Sequence, residues 1–424
     1  MWKNLDVNSE DSFPSLSLNE RDWRFARVRE LMRSKGLDCL LVAGLWTREQ
    51  FHSYLANDQA GGYVVIPLKG EPVHLCPTAF VITTHLESIN RGETPWIEDT
   101  RVGATAKGIV ATIKELGYDR STIGVVGLGG AGAFEGEGFI AYGTWTHVLE
   151  NLPNANFVDI TTPFAELVLI KSEEEIKVVR WAAGAGEASC QAMLDATRPG
   201  VLESKVAAAI MSVLYEYGAV LERGSFFIIH SGPNNPSWGA PTWLIRAERP
   251  RTLQAGDVVQ TEIFPYYGPG GGRAQVQMCV ALNPVHPVNA ECARLARQSY
   301  EEGLKALRPG KTFAEVADAM AKPILEAGAW HLTPLIHTMA PMLAVGGRGV
   351  GLEQLPGIER YKGLQSLSIT RHTLGDTVVQ PNTIYELEPN VCRGKHRVNI
   401  GGAVLVTEEG AEELNELPNE MRVV

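Results

Sequence analysis

A glycine-rich segment in the first half of the chain is the first candidate for chemistry. Gly127-Leu128-Gly129-Gly130-Ala131-Gly132 fits the pattern G-x-G-x-x-G and follows a predicted strand. A dinucleotide site needs a helix that opens on this loop and an acidic residue about 20 positions further on. The segment at 134–138 is a poor helix start, and the next acid at a strand end, Asp159, comes late. We therefore predict a glycine-rich loop that binds no nucleotide.

Cysteine and histidine give no sign of a metal site. The six cysteines lie at positions 39, 76, 190, 279, 292 and 392 and form neither a C-x-x-C pair nor a cluster with histidine. This distribution is typical of reduced, buried thiols in a cytoplasmic protein. The spacings of His230, His331 and His337 match no metal-binding pattern.

Five short blocks in the second half combine turns, strands and charged residues. Ser231-Gly232-Pro233-Asn234 follows a predicted strand, and Leu253-x-x-Gly256-Asp257-Val258-Val259 precedes another. Gly347-x-Gly349-Val350-Gly351-Leu352-Glu353 is a glycine-rich loop. Gln380-Pro381-Asn382-Thr383-Ile384-Tyr385-x-x-Glu388-Pro389 ends a strand on a carboxylate, and Val404-Leu405-Val406-Thr407-Glu408-x-Gly410 is a final strand and turn.

The elements that position these blocks fall into two groups. The first group alternates helices at 18–34 and 105–116 with strands at 38–42, 62–68, 73–76, 122–126 and 157–160, which indicates an α/β domain. The second group contains two capping boxes, Ser172 to Glu175 and Thr312 to Glu315, each of which begins a helix. Another helix is predicted at 202–217, and strands at 224–230, 257–264, 274–282, 383–387 and 403–406. Helices followed by strands, twice over, indicate an α+β domain with two similar halves.

The five blocks, in this order and spacing, resemble the C-terminal domain of the aminopeptidase P, prolidase and creatinase superfamily. The segments at 36–42 and 65–68 resemble the smaller α/β domain of the same superfamily. The resemblance implies a creatinase-type N-terminal α/β domain at 1–165. It also implies an α+β pita-bread catalytic domain with pseudo-twofold halves at 171–424. It further implies a homodimer.

The metallopeptidases of this superfamily bind two metal ions through two aspartates, one histidine and two glutamates. By the resemblance these ligands fall, in chain order, on Glu262, Arg273, Arg348, Glu388 and Gly401. Arginine has no lone pair to give and stays protonated, so two guanidinium groups here would repel a divalent cation. We therefore expect no metal and no other cofactor.

The retained carboxylates favour a metal-independent enzyme. Metal-free members of the superfamily, such as creatinase and ectoine hydrolase, act on small nitrogen-rich carboxylates, and ectoine hydrolase also has glutamate at the position of Glu262. We expect Glu262 and Glu388 to supply base or nucleophile and acid, with His230 as a further acid/base candidate. Arg273 and Arg348 would clamp a substrate carboxylate or, alternatively, neutralise the two glutamates.

Three more side chains are candidates for substrate contact, namely Trp238, Tyr266 and Glu386. The expected activity is hydrolysis of a C–N bond in a small anionic or zwitterionic molecule. A prolidase-like metallopeptidase, a lyase on the same scaffold and a non-catalytic binding protein remain alternatives. A net charge of −11 argues against nucleic acid or an anionic membrane as partner. The polar, acidic start of the chain gives no indication of a signal peptide.

Overall fold

The structure is a computed structural model that describes residues 5–9, 12–44, 50–58, 60–130, 138–221, 228–269, 271–332, 334–347, 351–362 and 372–424. The chain forms two compact units. The smaller unit comprises residues 15–175 and 268–271, and the larger unit comprises residues 1–14, 176–267 and 272–424. The described residues before Ser15 thus group with the larger unit, and the predicted domain bounds stay a prediction.

The smaller unit is an α/β domain built on one sheet. Its helices are α1 (Leu18–Ser34), α2 (Phe51–Ala56), α3 (Ala79–Asn90), α4 (Ala106–Glu115), α5 (Tyr142–Asn151) and α6 (Thr161–Leu169). Its strands are β1 (Cys39–Gly44), β2 (Gly62–Pro67), β3 (Val73–Cys76), β4 (Asp99–Val102), β5 (Thr122–Val126) and β6 (Asn156–Asp159). The strands are ordered β4-β3-β2-β1-β5-β6, with β1 parallel to β5 and antiparallel to β2. The predicted α/β class is confirmed.

The glycine-rich loop of this unit follows β5. A Cβ atom added at Gly129 would lie 2.4 Å from Asp159 Oδ2, so the loop approaches the end of β6 too closely for a larger residue. Close packing therefore explains Gly129 without a nucleotide. Gly132 and the segment predicted to be a poor helix start lie outside the described residues, except for Gly138.

The larger unit contains the remaining elements. Its helices are α7 (Glu173–Ala196), α8 (Glu203–Glu216), α9 (Thr242–Ile245), α10 (Pro287–Ala306) and α11 (Phe313–Glu326). Its strands are β7 (Val220–Leu221), β8 (Ile228–Gly232), β9 (Val258–Ile263), β10 (Pro265–Tyr266), β11 (Val276–Ala281), β12 (Trp330–His331), β13 (Ile336–Thr338), β14 (Val345–Gly346), β15 (His372–Thr373), β16 (Ile384–Leu387), β17 (Asn390–Arg393), β18 (His396–Asn399), β19 (Gly401–Thr407), β20 (Gly410–Glu413) and β21 (Arg422–Val423). Among the described helices of both units, none is both long and apolar enough to cross a bilayer.

The central sheet of the larger unit joins two similar halves. Its strands are ordered β15-β14-β13-β16-β19-β11-β9-β8, with β20 beside β19 and β21 beside β11. Helices α7 and α8 precede β8, β9 and β11 and share a buried apolar cluster with them. Helices α10 and α11 precede β13, β16 and β19 and form the corresponding cluster of the second half. This arrangement is the predicted α+β fold with pseudo-twofold halves.

Local signals in the sequence explain where two of the long helices begin. Ser172 and Glu175 form a reciprocal capping box at the start of α7, with both backbone-to-side-chain distances at 3.0 Å. Thr312 and Glu315 form the second capping box at α11. The sequence analysis named neither α10 nor the β17–β18 hairpin, which turns at Gly394 and Lys395.

Candidate active site

A row of polar side chains lies on one face of the central sheet. The strand register places Glu262 opposite Gln277, Gln277 opposite Gly401, and Glu386 opposite His337. Residues directly opposite each other in antiparallel strands point to the same face. Glu262, Gln277, Glu386 and His337 are all buried. The fold therefore gathers acids, an amide and an imidazole where hydrophobic residues would otherwise pack.

Glu262 on β9 accepts hydrogen bonds from two side chains. Trp238 Nε1 donates to both carboxylate oxygens at 2.9 Å, and Asn399 Nδ2 donates to Oε1 at 2.6 Å. Burial and the negative charge of Glu388 raise the pKa of Glu262 to about 8, against the opposing effects of Arg397 and the two donors. At neutral pH Glu262 can therefore hold a proton.

Glu388 follows β16 and accepts from two amides. Gln275 Nε2 and Gln277 Nε2 donate to Oε2 at 2.8 and 3.0 Å. His337 Nε2 lies 3.3 Å from Oε1, and His337 Nδ1 lies 3.0 Å from Thr338 O. Because a carbonyl oxygen only accepts, His337 donates from Nδ1 to Thr338 O, which leaves Nε2 as the ring nitrogen next to Glu388. His337, whose spacing matched no metal pattern, is thus a direct neighbour of Glu388.

Glu386 is a third buried acid in this row, two residues before Glu388. Burial and the charges of Glu388 and Glu262 raise the pKa of Glu386 well above its usual range, and the Gln277 amide opposes the shift. Within the described chain, neither Glu386 oxygen has a partner with good hydrogen-bond geometry, and Gln277 Oε1 also lacks a donor. A neutral carboxylic acid is the form that suits such surroundings, because it can donate to an unpaired acceptor.

Arg397 on β18 is a buried cation that the sequence analysis did not identify. Its side chain is 1% exposed and donates from Nε to Asn235 O at 3.3 Å and from Nη1 to Asn390 Oδ1 at 2.5 Å. Its charge lowers the pKa of Glu262, and burial lowers the pKa of Arg397 itself. The β17–β18 hairpin supplies both this guanidinium and the Asn399 amide, so an unpredicted element carries part of the site.

The two predicted arginines are placed differently. Arg273 is 6% exposed, and its guanidinium lies 5.6 Å from the ring centroid of Tyr266, which is itself buried. The described donors to Glu262 and Glu388 are other side chains, and both roles predicted for Arg273, the clamp and the neutralising charge, stay predictions. Arg348 lies outside the described residues.

His230 lies on β8 opposite Gln260, on the same face of the sheet as Glu262. Its Nε2 donates to Gly239 O at 2.6 Å. Burial and the nearby charge of Arg397 lower the pKa of His230 to about 4. At neutral pH His230 is therefore a neutral imidazole, and only its Nδ1 is available as a base.

The donor set does not fit the two metal ions of the superfamily. Gly401, the position of the last family ligand, has φ +150°, and a Cβ atom there would lie 2.0 Å from Leu387 O and 2.8 Å from Gln277 Oε1. A glutamate is therefore incompatible with this backbone. In the part of the chain that the structure describes, no group of three or more His, Cys, Asp or Glu residues is arranged to hold a metal ion. N–H donors also occupy both oxygens of Glu262 and Oε2 of Glu388, which metal ions would need as ligands.

Comparison with known proteins places this site in a family. Residues 177–408 match the metallopeptidase family M24, and residues 24–168 match the Creatinase/Prolidase N-terminal domain. The first match covers more than half of the chain, which therefore belongs to the metallopeptidase family M24. The predicted superfamily and two-domain fold are confirmed, and membership supports the predicted hydrolase class at the level of the family.

Individual relatives span most of the chain. Creatinase of Bacillus sp. (strain B-0618) is 21% identical over an alignment of 430 positions. The alignment covers 98% of this chain and 95% of that protein. Xaa-Pro dipeptidase of Pyrococcus furiosus is 24% identical over 289 residues, which cover 67% of this chain and 74% of that protein. The crystal structure of X-Pro aminopeptidase from Thermotoga maritima MSB8 superposes with a TM-score of 0.71 at 16% identity, covering 94% of this chain and 99% of that one.

Proposed function

We propose that this protein is a metal-independent hydrolase that cleaves a C–N bond in a small, carboxylate-bearing, non-peptide substrate. The observation that carries the proposal is the pair of buried glutamates, Glu262 and Glu388, held by N–H donors at positions that bind metal in the family's peptidases. Four side chains supply those donors, namely Trp238, Asn399, Gln275 and Gln277.

The two glutamates have different surroundings, which supports different roles. Glu262, with its raised pKa, is the acid that protonates the leaving nitrogen. Glu388 receives two amide N–H groups on Oε2, which favour negative charge there, and faces His337 at Oε1. Glu388 is accordingly the base that takes a proton from water, or the nucleophile itself.

The reaction then adds one water across the scissile bond. Water loses a proton to Glu388, its oxygen bonds to the substrate carbon, and the C–N bond breaks as Glu262 delivers a proton to nitrogen. Arg397 offsets part of the negative charge of the pair without a metal ion. Arg348 is the proposed clamp for the substrate carboxylate.

The test is a screen of metal-stripped protein against small cyclic and amidated amino acids, with release of amine or ammonia as the signal. Glu262→Gln and Glu388→Gln should each lower kcat by about 10²-fold or more, the range for loss of a general acid or base. Glu203→Gln is the matched control, because Glu203 is a buried acid of the same unit that binds Ser231 and Trp243 instead. Unchanged turnover in both site variants would refute the proposed roles.

A prolidase-like metallopeptidase is the second candidate, because the family and the Pyrococcus relative favour it. It requires bound metal ions and Xaa-Pro peptides as substrates. Metal analysis of the purified protein, followed by assay of Xaa-Pro dipeptides with added Mn²⁺ or Co²⁺, separates the two functions. Stoichiometric metal together with dipeptide cleavage would overturn the metal-independent proposal. If the protein is a lyase, the products will contain no added water. If it is a non-catalytic binding protein, neither assay will show turnover.

A further inference from the structure

One of the two side chains that donate to Glu262 is a tryptophan that is partly exposed to solvent. Glu262 is 1% exposed, and of the two side chains that donate to it, Asn399 is 1% exposed at the end of β18, whereas Trp238 is 37% exposed on a loop. The residues opposite Glu262 on the neighbouring strands, Ile228 and Gln277, are also buried. Among the described side chains that bond to or lie opposite Glu262, Trp238 is therefore the one that reaches solvent.

The indole also restricts what Glu262 can do. Trp238 Nε1 lies 2.9 Å from both carboxylate oxygens, so a single N–H is shared between them. Asn399 already occupies Oε1 at 2.6 Å. While the indole is in place, both carboxylate oxygens of Glu262 accept from N–H donors.

The loop is fixed on both sides of Trp238. Asn235 donates through Nδ2 to His230 O at 2.9 Å and to Val258 O at 3.0 Å, and Gly239 O accepts from His230 Nε2 at 2.6 Å. With its flanks anchored, Trp238 can move by rotation about its own side-chain torsions, without unfolding of the loop.

We propose that Trp238 is a movable cover that closes Glu262 in the free protein, and that a substrate reaches Glu262 only when the indole has turned away. This positioning role rests on the proposed function, since it makes the indole control access to the catalytic acid. A substrate that brings its own N–H donor replaces the hydrogen bonds that Glu262 loses. Substrates with nitrogen beside the scissile bond are thereby favoured over those with only oxygen acceptors.

The test measures access to Glu262 and does not need turnover. Protein at pH 6 is treated with a water-soluble carbodiimide and glycine ethyl ester, and modification of the peptide that contains Glu262 is followed by mass spectrometry. Trp238→Ala should increase the rate of modification by roughly two- to tenfold, the factor that corresponds to the net free energy of one hydrogen bond that keeps a site closed. Trp238→Phe, which retains the ring but not the N–H, should give a smaller increase.

Helix α9, which follows this loop, provides the matched control. Trp243 Nε1 donates to Glu203 Oε1 at 2.8 Å, a similar contact away from the site. Trp243→Ala should leave modification of Glu262 at the wild-type rate. A wild-type rate in Trp238→Ala, or an equal increase in Trp243→Ala, would overturn the proposal.

A second measurement covers the case in which Trp238→Ala does not fold. The chain has nine tryptophans, so ¹⁵N-tryptophan labelling gives a small set of indole N–H signals, and the Trp238 signal is the one missing in Trp238→Phe. Glu262→Gln should shift that signal and accelerate its hydrogen exchange. An unchanged Trp238 signal in Glu262→Gln would refute the contact and with it the cover. Unchanged turnover in Glu262→Gln, together with a shifted Trp238 signal, would count against the proposed function and leave the cover in place.

Discussion

The pH dependence of stability is a direct test of the buried Glu262. The pKa of this carboxyl is about 8 in the folded protein, against a usual value of 4.5 in an unfolded chain. Between these values the folded state binds a proton that the unfolded state releases. The stabilisation is therefore complete below about pH 4.5 and is lost as the pH rises through about 8.

The magnitude follows from the interval between the two pKa values. At about 1.4 kcal/mol per pH unit, the change from 4.5 to about 8 corresponds to roughly 5 kcal/mol of unfolding free energy. Glu262→Gln removes this titration while keeping the size of the side chain. The variant should be less stable than wild type at pH 5, because the amide leaves a hydrogen bond to Trp238 or Asn399 mismatched, at a cost of about 1–3 kcal/mol. It should be more stable than wild type at pH 9.

The assay is urea unfolding at five pH values from 5 to 9, with the free energy of unfolding extrapolated to water. The curves for wild type and Glu262→Gln should cross between the two extremes. Glu359→Gln, a change at an exposed glutamate, is the control and should run parallel to wild type. Parallel curves for Glu262→Gln and wild type would show that Glu262 does not hold a proton in the folded protein at neutral pH.

Three further outcomes are expected. Gly401→Ala should lower the free energy of unfolding, measured in urea, by more than about 2 kcal/mol, because the new Cβ would meet Leu387 O. The control Gly394→Ala, at a glycine with φ +57° and open space around it, should cost about 1–2 kcal/mol. Equal losses in the two variants would refute the steric argument. Arg397→Met should lower the free energy of unfolding by about 3–5 kcal/mol, because the glutamate pair and Asn390 would lose their neighbouring cation. Arg397→Lys should recover part of this loss. Wild-type stability in Arg397→Met would contradict the role assigned to this charge. Chelator treatment should leave the turnover of any substrate found in the screen unchanged. Initial rates and the metal content of the same samples measure this. Activity that is lost with chelator and restored only by added metal would contradict the metal-independent mechanism.

Much of the fold could be predicted from local patterns. The residues that begin α7 and α11 contain reciprocal serine or threonine and glutamate caps, and these signals act within one turn of chain. Helix α1 and strands β3 and β5 have the predicted bounds, because alternation and helical spacing of apolar residues are unambiguous there. Helix α10 was missed, although Pro287 at its start is a recognised helix signal.

The site was harder to predict because its contacts join distant segments. Glu262 and Glu388 could be predicted, because each occupies one position of a short sequence motif. Arg397 and Asn399 lie in a hairpin whose only local sign is the turn at Gly394, and their meeting with Glu262 depends on pairing across the sheet. His337 was set aside because its spacing matched no metal pattern, but its partner Glu388 is contributed by a neighbouring strand. Spacing along the chain carries no information about such contacts.

The backbone at Gly401 has a consequence for how this branch of the family can change. A lineage that regained the missing glutamate by one substitution would place its Cβ against Leu387 O and Gln277 Oε1, and would lose stability before it gained a ligand. Gln277 would first have to shrink and the start of β19 would have to shift, and neither step brings a benefit alone. In the proposed metal-independent protein, strand geometry would therefore stabilise the site without the glutamate, because a return to that ligand needs three coordinated changes.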